Sequence, residues 1–384
     1  MATSRRRMRP ERQADVAFGT GIALGLVFVG VIGGFRATAD AVATSDFSGF
    51  WEGARAVASG IDPYDVTGWY TATAALGGQR PDTLVFGYPP WIAFALVPLG
   101  LLPLPLAAAV WIWASLAAAV FAMRALLRAS LPGYPLGHGL VGLCLLASQP
   151  GYQSLFNHQW TFLLLAATAT CAVAVRSRHD MVAATLALLW LAKPQLFLFT
   201  AAGWGWIHRR FAVFASIGAA AIVLASWIAA PQWWPAWSTL VAPVRLAQPA
   251  TVPALLADVA QAPGRLIGYA LIVAGVAVAT RFRADNDPSL AVWSSLSIAG
   301  AVYAWSYDQL LLLVPLTLAA GALRRADSTA ARHLLLAGFG LLLAVAPLLY
   351  GLALLRGRET ASAVLPATMF AVIVWRMWRL RLAP

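Results

Sequence analysis

Charge is what this chain has least of: 11% of its 384 residues are Asp, Glu, Lys or Arg, against about 25% in an ordinary soluble domain. That shortage excludes a conventional soluble globular protein. An apolar content of 60% and the lack of any short repeat exclude disorder and fibrous architectures. Lysine is nearly missing, Lys193 being the single one among 27 basic residues. The two cysteines, Cys144 and Cys171, both sit in apolar runs and make neither a disulfide nor a metal framework. There is no phosphate-binding loop, dinucleotide fingerprint, zinc pattern or nucleophile elbow. What remains is an all-α polytopic membrane protein. The formal charge of +12 comes from short basic clusters between apolar stretches, so it reports topology and not nucleic-acid binding.

The arginine-rich start, Arg5-Arg6-Arg7-Met8-Arg9, precedes an apolar run from Val16 to Gly34 with no small-residue cleavage site after it, so this run is a first span and not a signal peptide. Further spans are predicted at about 106–127, 137–156, 160–175, 181–193, 195–207, 212–230, 266–280, 289–306, 309–323, 334–350 and 361–376, making about twelve. The alternation places nineteen arginines on one side and seven (36, 55, 80, 245, 265, 356 and 358) on the other. By the positive-inside rule both termini are cytoplasmic, giving a basic N-terminus at 1–15, one transmembrane domain at 16–376 and a tail at 377–384.

Two outer segments exceed simple connectors: a first external loop over 35–105 and a second over 231–265, the latter with Trp233, Trp234, Trp237 and six prolines. Within the first, 48–59 reads as a helix along the membrane surface, with Phe50, Trp51, Ala54, Val57 and Ala58 on one side, Glu52 and Arg55 on the other, and Gly60 as its end. The proline-rich stretch Tyr88 to Pro105 is too short and too interrupted for a crossing, and it is read as an interfacial or re-entrant helix.

Four places carry chemistry. Asp46, at the outer mouth of the bundle, is a general base for a sugar hydroxyl or a cap of the following helix. Lys193 interrupts an apolar helix just before Pro194; an intramembrane cation marks a phosphate site or a buried partner, or else a side chain snorkelling to the interface. Asn157-His158-Gln159 and Ser306-Tyr307-Asp308-Gln309 are polar turns at the same expected level, with Asp308 placed to pair with Lys193 or an outer arginine. No stretch could form a soluble nucleotide-sugar domain, which favours a lipid-borne donor.

At these residues the chain resembles glycosyltransferase family 87, GT-C-fold enzymes that include polyprenyl-phosphate-mannose-dependent mannosyltransferases and related arabinofuranosyltransferases. The matching pieces run in family order over roughly 40–315. They are Asp46-Phe47 with Phe50-Trp51-Glu52-Gly53-Ala54-Arg55 and Gly60-Ile61-Asp62-Pro63-Tyr64; Tyr88-Pro89-Pro90-Trp91; Asn157-His158-Gln159; Leu191-Ala192-Lys193-Pro194-Gln195; and Ser306-Tyr307-Asp308-Gln309. The chain departs from the family at Gln309, where related sequences often carry a histidine.

The resemblance implies a GT-C-type bundle of about twelve transmembrane helices with interfacial helices in the first external loop. It implies Asp46 as general base. It also implies a polyprenyl monophosphate donor whose tail lies between helices and bilayer and whose phosphate meets Lys193, with Arg55 and His158 beside it. Glu52, Tyr88, Asn157, Gln159, Gln195, Tyr307 and Asp308 are expected among the substrate contacts. The implied reaction is transfer of mannose or arabinofuranose to a hydroxyl of a cell-envelope glycolipid or glycan, on the outer face of the plasma membrane and with inversion. No cofactor is called for, and no metal is demanded by the sequence. A lipid or sugar transporter, or a non-catalytic partner of envelope assembly, would also have many spans and intramembrane charge. No inverted repeat is visible, and the polar residues gather on one side instead of at midplane.

Overall fold

The computed structural model describes residues 8–33, 42, 45–65, 67–68, 71, 86–246 and 249–382. Arginines 5–7, parts of the first external loop (35–41, 43–44, 66, 69–70 and 72–85, with Arg36 and Arg80), the side chain of Arg245 and the last two residues of the tail lie outside the described residues. The described chain is helical, with no strand. Seven of its helices or continuous helical segments are long and apolar enough to cross a membrane: Pro10–Gly33, Leu104–Ser130, Arg209–Ala229, Val252–Ala279, Ser306–Ala326, Ser328–Arg356 and Thr360–Arg381. The other spans expected from the sequence are shorter or interrupted.

Helix α1 (Pro10–Gly33) leads to α2 (Asp46–Ala58) and α3 (Pro90–Gly100), which pack together, and then to the long α4 (Leu104–Ser130). The expected span at 137–156 divides at Ser148 into α5 (Pro135–Ala147) and α6 (Gln149–Phe156). The Ser148 hydroxyl donates to Cys144 O and accepts from Gly151 N, so it caps the second piece. After α7 (Thr161–Arg176) comes a hairpin: α8 (Asp180–Ala187) runs into a 3-10 turn at Leu188–Ala192, Pro194–Leu196 makes a second turn, and α9 (Leu198–Ile207) returns. His208, after α9, lies 4.0 Å from Asp180 at the start of α8, so the two arms begin and end together.

Proline causes the break. Pro194 has no N–H to continue a helix and drives the preceding residue out of the α region, and Lys193 has φ −140° and ψ 66°. The carbonyl of Leu191 that this frees accepts the indole N–H of Trp91 at 3.1 Å, which seats α3 on the hairpin tip.

Helix α10 (Arg209–Ala229) is followed by α11 (Trp233–Leu246) and α12 (Val252–Ala279), so the expected external loop at 231–265 is mostly helix. Gln261 (φ 47°, ψ −127°), two residues before Pro263, breaks α12, and this is the irregularity that the prolines signalled. Next come α13 (Asp287–Ala299), the 3-10 turn Ser306–Leu312 and α14 (Leu313–Ala326). The window of Ser306–Ala326 is 94% buried, the highest of the seven segments, which makes it the central one. Helix α15 (Ser328–Gly340), a π-turn at Leu341–Val345 and α16 (Ala346–Arg356) form one long segment, and the 3-10 turn Thr360–Ala363 with α17 (Val364–Leu382) closes the bundle.

The polar groups separate by end. At one end Asp15 pairs with Arg124 (3.1 Å) and Arg128 (2.6 Å), Asp287 with Arg176 (3.0 Å) and Arg325 (2.8 Å), and Arg178 with Asp285. Asp46, Lys193 and Asp308 belong to the other.

One expectation is corrected within α2. The helix forms and Gly60, with φ +71°, follows its end, but Glu52 does not face solvent. It is 6% exposed, because α3 covers α2 and the ring of Phe86 lies over Gly53. Only the second half of the helix, from Arg55 onward, reaches the surface.

Helices α1 and α5 approach through glycine. A Cβ on Gly142 would stand 2.5 Å from Phe18 O, and Gly21 meets the backbone of Gly139 in the same way. Gly142→Leu is expected to lower stability by about 1–3 kcal/mol through overpacking. Gly30→Leu, with nothing within 4 Å of the added Cβ, should leave it unchanged; thermal unfolding of the detergent-solubilised variants checks both.

Candidate functional site

An aromatic layer positions Asp46. Phe47 stacks on Trp111 (ring centroids 6.0 Å), Phe50 meets Tyr88 edge-on (5.0 Å), and Trp111 meets Trp160 (4.6 Å). The Trp111 indole donates to the carbonyl of His158 at 2.9 Å, so the ring under α2 also holds the Asn157-His158-Gln159 turn. His158 has φ 51°, a left-handed conformation that sharpens this turn between α6 and α7. Asp46 opens α2, after an N-cap residue, Ser45, whose hydroxyl donates to Val42 O and makes no cap.

The carboxylate of Asp46 accepts a hydrogen bond from Nε2 of Gln159. Oε1 of the same amide faces Nζ of Lys193 at 3.4 Å, and Nζ donates to Oδ1 of Asp308 at 2.8 Å. Four side chains from α2, the 157–159 turn, the hairpin tip and the 306–312 turn therefore form one chain, Asp46–Gln159–Lys193–Asp308. Lys193 and Asp308 are 5% and 1% exposed, so the lysine does not snorkel. The ring of Tyr307 covers the ammonium at 4.6 Å.

Asp308 has a second task. Its Oδ2 accepts the N–H of Trp305 at 3.0 Å and caps the 3-10 turn, which fixes the carboxylate that holds the lysine. Behind it, Ser306 Oγ donates to Gln153 Oε1 at 2.9 Å and accepts from Gln149 Nε2 at 3.1 Å. Gln309 donates to Ser362 O at 2.8 Å and anchors the last segment.

Sequence reasoning missed Glu359. Its Oε2 accepts Ser306 N–H at 2.7 Å, which brings a third carboxyl to the Asp46–Asp308 neighbourhood. Burial pushes the Glu359 carboxyl up, its hydrogen bonds with Ser306 oppose that, and Asp308 and Asp46 add to the rise. The only signal was a lone acid in the short Gly357–Thr360 connection. Arg358 and Thr360 beside it both bind Asp258 of α12, Arg358 at 2.9 Å.

The other expected residues divide. Tyr88 lies among the carboxylates: its hydroxyl is pushed well up, chiefly by burial and then by Asp46 and Asp308. Its carbonyl accepts the hydroxyl of Tyr64 at 2.8 Å. His158 sits with its ring 6.3 Å from that of Phe47; its Nδ1 is buried without a partner among the described residues, and burial pushes its pKa down, so the imidazole is neutral at pH 7. Asn157 is half-buried at the end of α6, and Gln195 is half-buried in the Pro194–Leu196 turn. Arg55 is not brought to Lys193. It lies exposed on α2, its guanidinium 5.0 Å over the ring of Trp51, and nine residues of helix, about 13 Å, separate it from Asp46.

An apolar groove of about 470 Å³ lies between the hairpin and α10, lined among others by Leu188, Trp190, Phe197 and Phe211. Leu191 and Pro194 also line it, so it begins within two residues of Lys193. Its volume is in the range of small-molecule sites, about 300–1,000 Å³. Tryptophans 91, 227, 233, 234 and 237 cluster near the start of α3, the end of α10 and the start of α11, and the Trp237 indole donates to Gly87 O at 3.0 Å.

The family model of glycosyltransferase family 87 matches residues 86–305, more than half of the chain. The match takes in Tyr88, Asn157, His158, Gln159, Lys193 and Gln195, and leaves Asp46, Asp308 and Glu359 outside it. No curated protein and no solved structure matches.

Lys193→Met is expected to cost about 3–5 kcal/mol, because it leaves the Asp308 carboxylate buried without its cation. Adding Asp308→Leu to the same chain should recover part of that loss. Denaturation of the single and double variants in detergent measures the coupling, and additive losses would mean that the pair is not the structural unit described.

Proposed function

The chain belongs to glycosyltransferase family 87, and on that premise we propose that it transfers a sugar, mannose, from a polyprenyl-phosphate donor to a hydroxyl of a cell-envelope glycolipid or glycan. The observation that carries this reading is the placement of Asp46 and Lys193 one amide side chain apart. A base and a cation that close can serve the two ends of a single displacement.

In the proposed reaction the Asp46 carboxylate takes the proton of the acceptor hydroxyl as its oxygen attacks the anomeric carbon. The bond from that carbon to the phosphate oxygen breaks, the configuration inverts, and the lipid phosphate leaves with the electron pair. A phosphate departs already charged, so it needs electrostatic support more than a proton, and Lys193 supplies it next to the Tyr307 ring. Asp308 keeps the ammonium in place. His158, neutral, meets the phosphate as a hydrogen-bond donor instead of a cation. The groove beside Leu191 and Pro194 suits an isoprenoid chain, being apolar and close to the lysine.

The orientation belongs to the proposal too. With the arginine-rich end at the cytoplasm, both termini are cytoplasmic and the Asp46 end faces outward at the plasma membrane. The donor, the glycolipid or glycan acceptor and the bilayer are the partners.

Asp46→Asn should fold and bind donor as the parent does while turnover falls by about 10²-fold or more. The assay uses purified protein, polyprenyl-phosphate mannose and envelope glycolipid, with product analysis. Normal product formation by this variant would eliminate the assigned base, and turnover with the arabinofuranose donor only would replace mannose.

A further inference from the structure

Gln159 has a place in this chain that a simple substrate contact would not need. It is 1% exposed, so water does not compete for its amide. Lysine only donates, so Lys193 takes Oε1, and the amide is left to turn Nε2 toward Asp46. That NH2 group seeks an acceptor, which the ionised carboxylate offers on both oxygens. The orientation of Gln159 is therefore set from the lysine side and expressed on the carboxylate side.

The groups around Asp46 pull in opposite directions. Charge on Asp308 from the 306–312 turn and on Glu359 from the turn before Thr360 opposes ionisation of Asp46. Tyr88 and Tyr303 are neutral neighbours whose burial pushes their hydroxyls away from ionisation, and His158 across Phe47 is neutral. Lys193 and the Gln159 N–H favour the ionised form.

Resting on the reading of Asp46 as the base, we infer that Gln159 is a positioning residue: it holds the Asp46 carboxylate in its ionised, proton-accepting form and ties its orientation to the Lys193–Asp308 pair. Base and phosphate cation are thus aligned by a single amide, and losing that amide changes the pH at which the base works before it changes donor binding.

The test is the pH dependence of turnover with polyprenyl-phosphate mannose for the full-length parent, Gln159→Leu and Gln159→Glu. Gln159→Leu removes the donor to Asp46 and should move the acid limb of the profile up by about one pH unit, with donor KM little changed. Gln159→Glu keeps the volume and the acceptor for Lys193 but faces Asp46 with a second carboxylate, and the limb should move further up. Should Gln159→Leu fail to fold, the Glu variant decides alone. An acid limb that stays in place while donor KM rises overturns the inference and makes Gln159 a substrate contact. Asp46→Asn separates the two levels. Parent-like turnover of that variant removes the base itself, whereas an inactive Asp46→Asn with unmoved Gln159 limbs refutes the positioning role alone.

Discussion

An ammonium inside a helical membrane protein has to be paired, and the ion pair between Lys193 and Asp308 governs the arrangement of the whole polar end. Pro194 stops the helix and turns Lys193 out of it. Asp308 is held for the lysine because its other oxygen caps the turn it sits in. The hairpin tip, the central segment and the 157–159 turn thereby converge on one point, each contributing a group that would be costly to bury alone. Outside this point the same end is braced by Ser306 with Gln149, Gln153 and Glu359, and by Asp258 with Arg358 and Thr360.

A hairpin with both feet at one end and its tip in the interior has a further consequence. It leaves its outer flank unfilled, and the small residues Ala201, Gly205, Ala212 and Ala215 keep that space open between the hairpin and α10. An apolar groove and a buried cation therefore share one structural cause, the break at Lys193-Pro194. An amphiphile with a charged head and a long apolar chain is the kind of molecule such a pairing accommodates, which is why a lipid-linked sugar fits the proposal better than a soluble one.

Much of this was legible in the sequence. A charge-poor chain with one lysine before a proline in an apolar run announced a membrane protein with a broken helix and a buried cation. The polar clusters at 157–159 and 306–309 pointed to the same end. Other features were not legible, and for identifiable reasons. A helix with Glu52 and Arg55 along one side reads as lying on a surface, and only the later segments that fold over it, α3 and Phe86, bury Glu52. Prolines in 231–265 suggested a loop, but proline is tolerated near helix starts, and the chain stays helical except around Gln261. Glu359 stands alone in a connection far from the other polar clusters along the chain, so nothing local marked it.

The sequence by itself determined the solvent this protein lives in, where its helices break and which residue types are too costly to bury without a partner, because these depend on composition and on the local chemistry of proline and charge. Tertiary structure alone decided who the partners are. Asp46 and Gln159 are 113 residues apart in the chain and Lys193 and Asp308 are 115 apart, and no periodicity encodes such pairings. They exist because a buried donor must find an acceptor in whatever the fold brings near, and here the fold brings a carboxylate, an amide, an ammonium and a second carboxylate into one line.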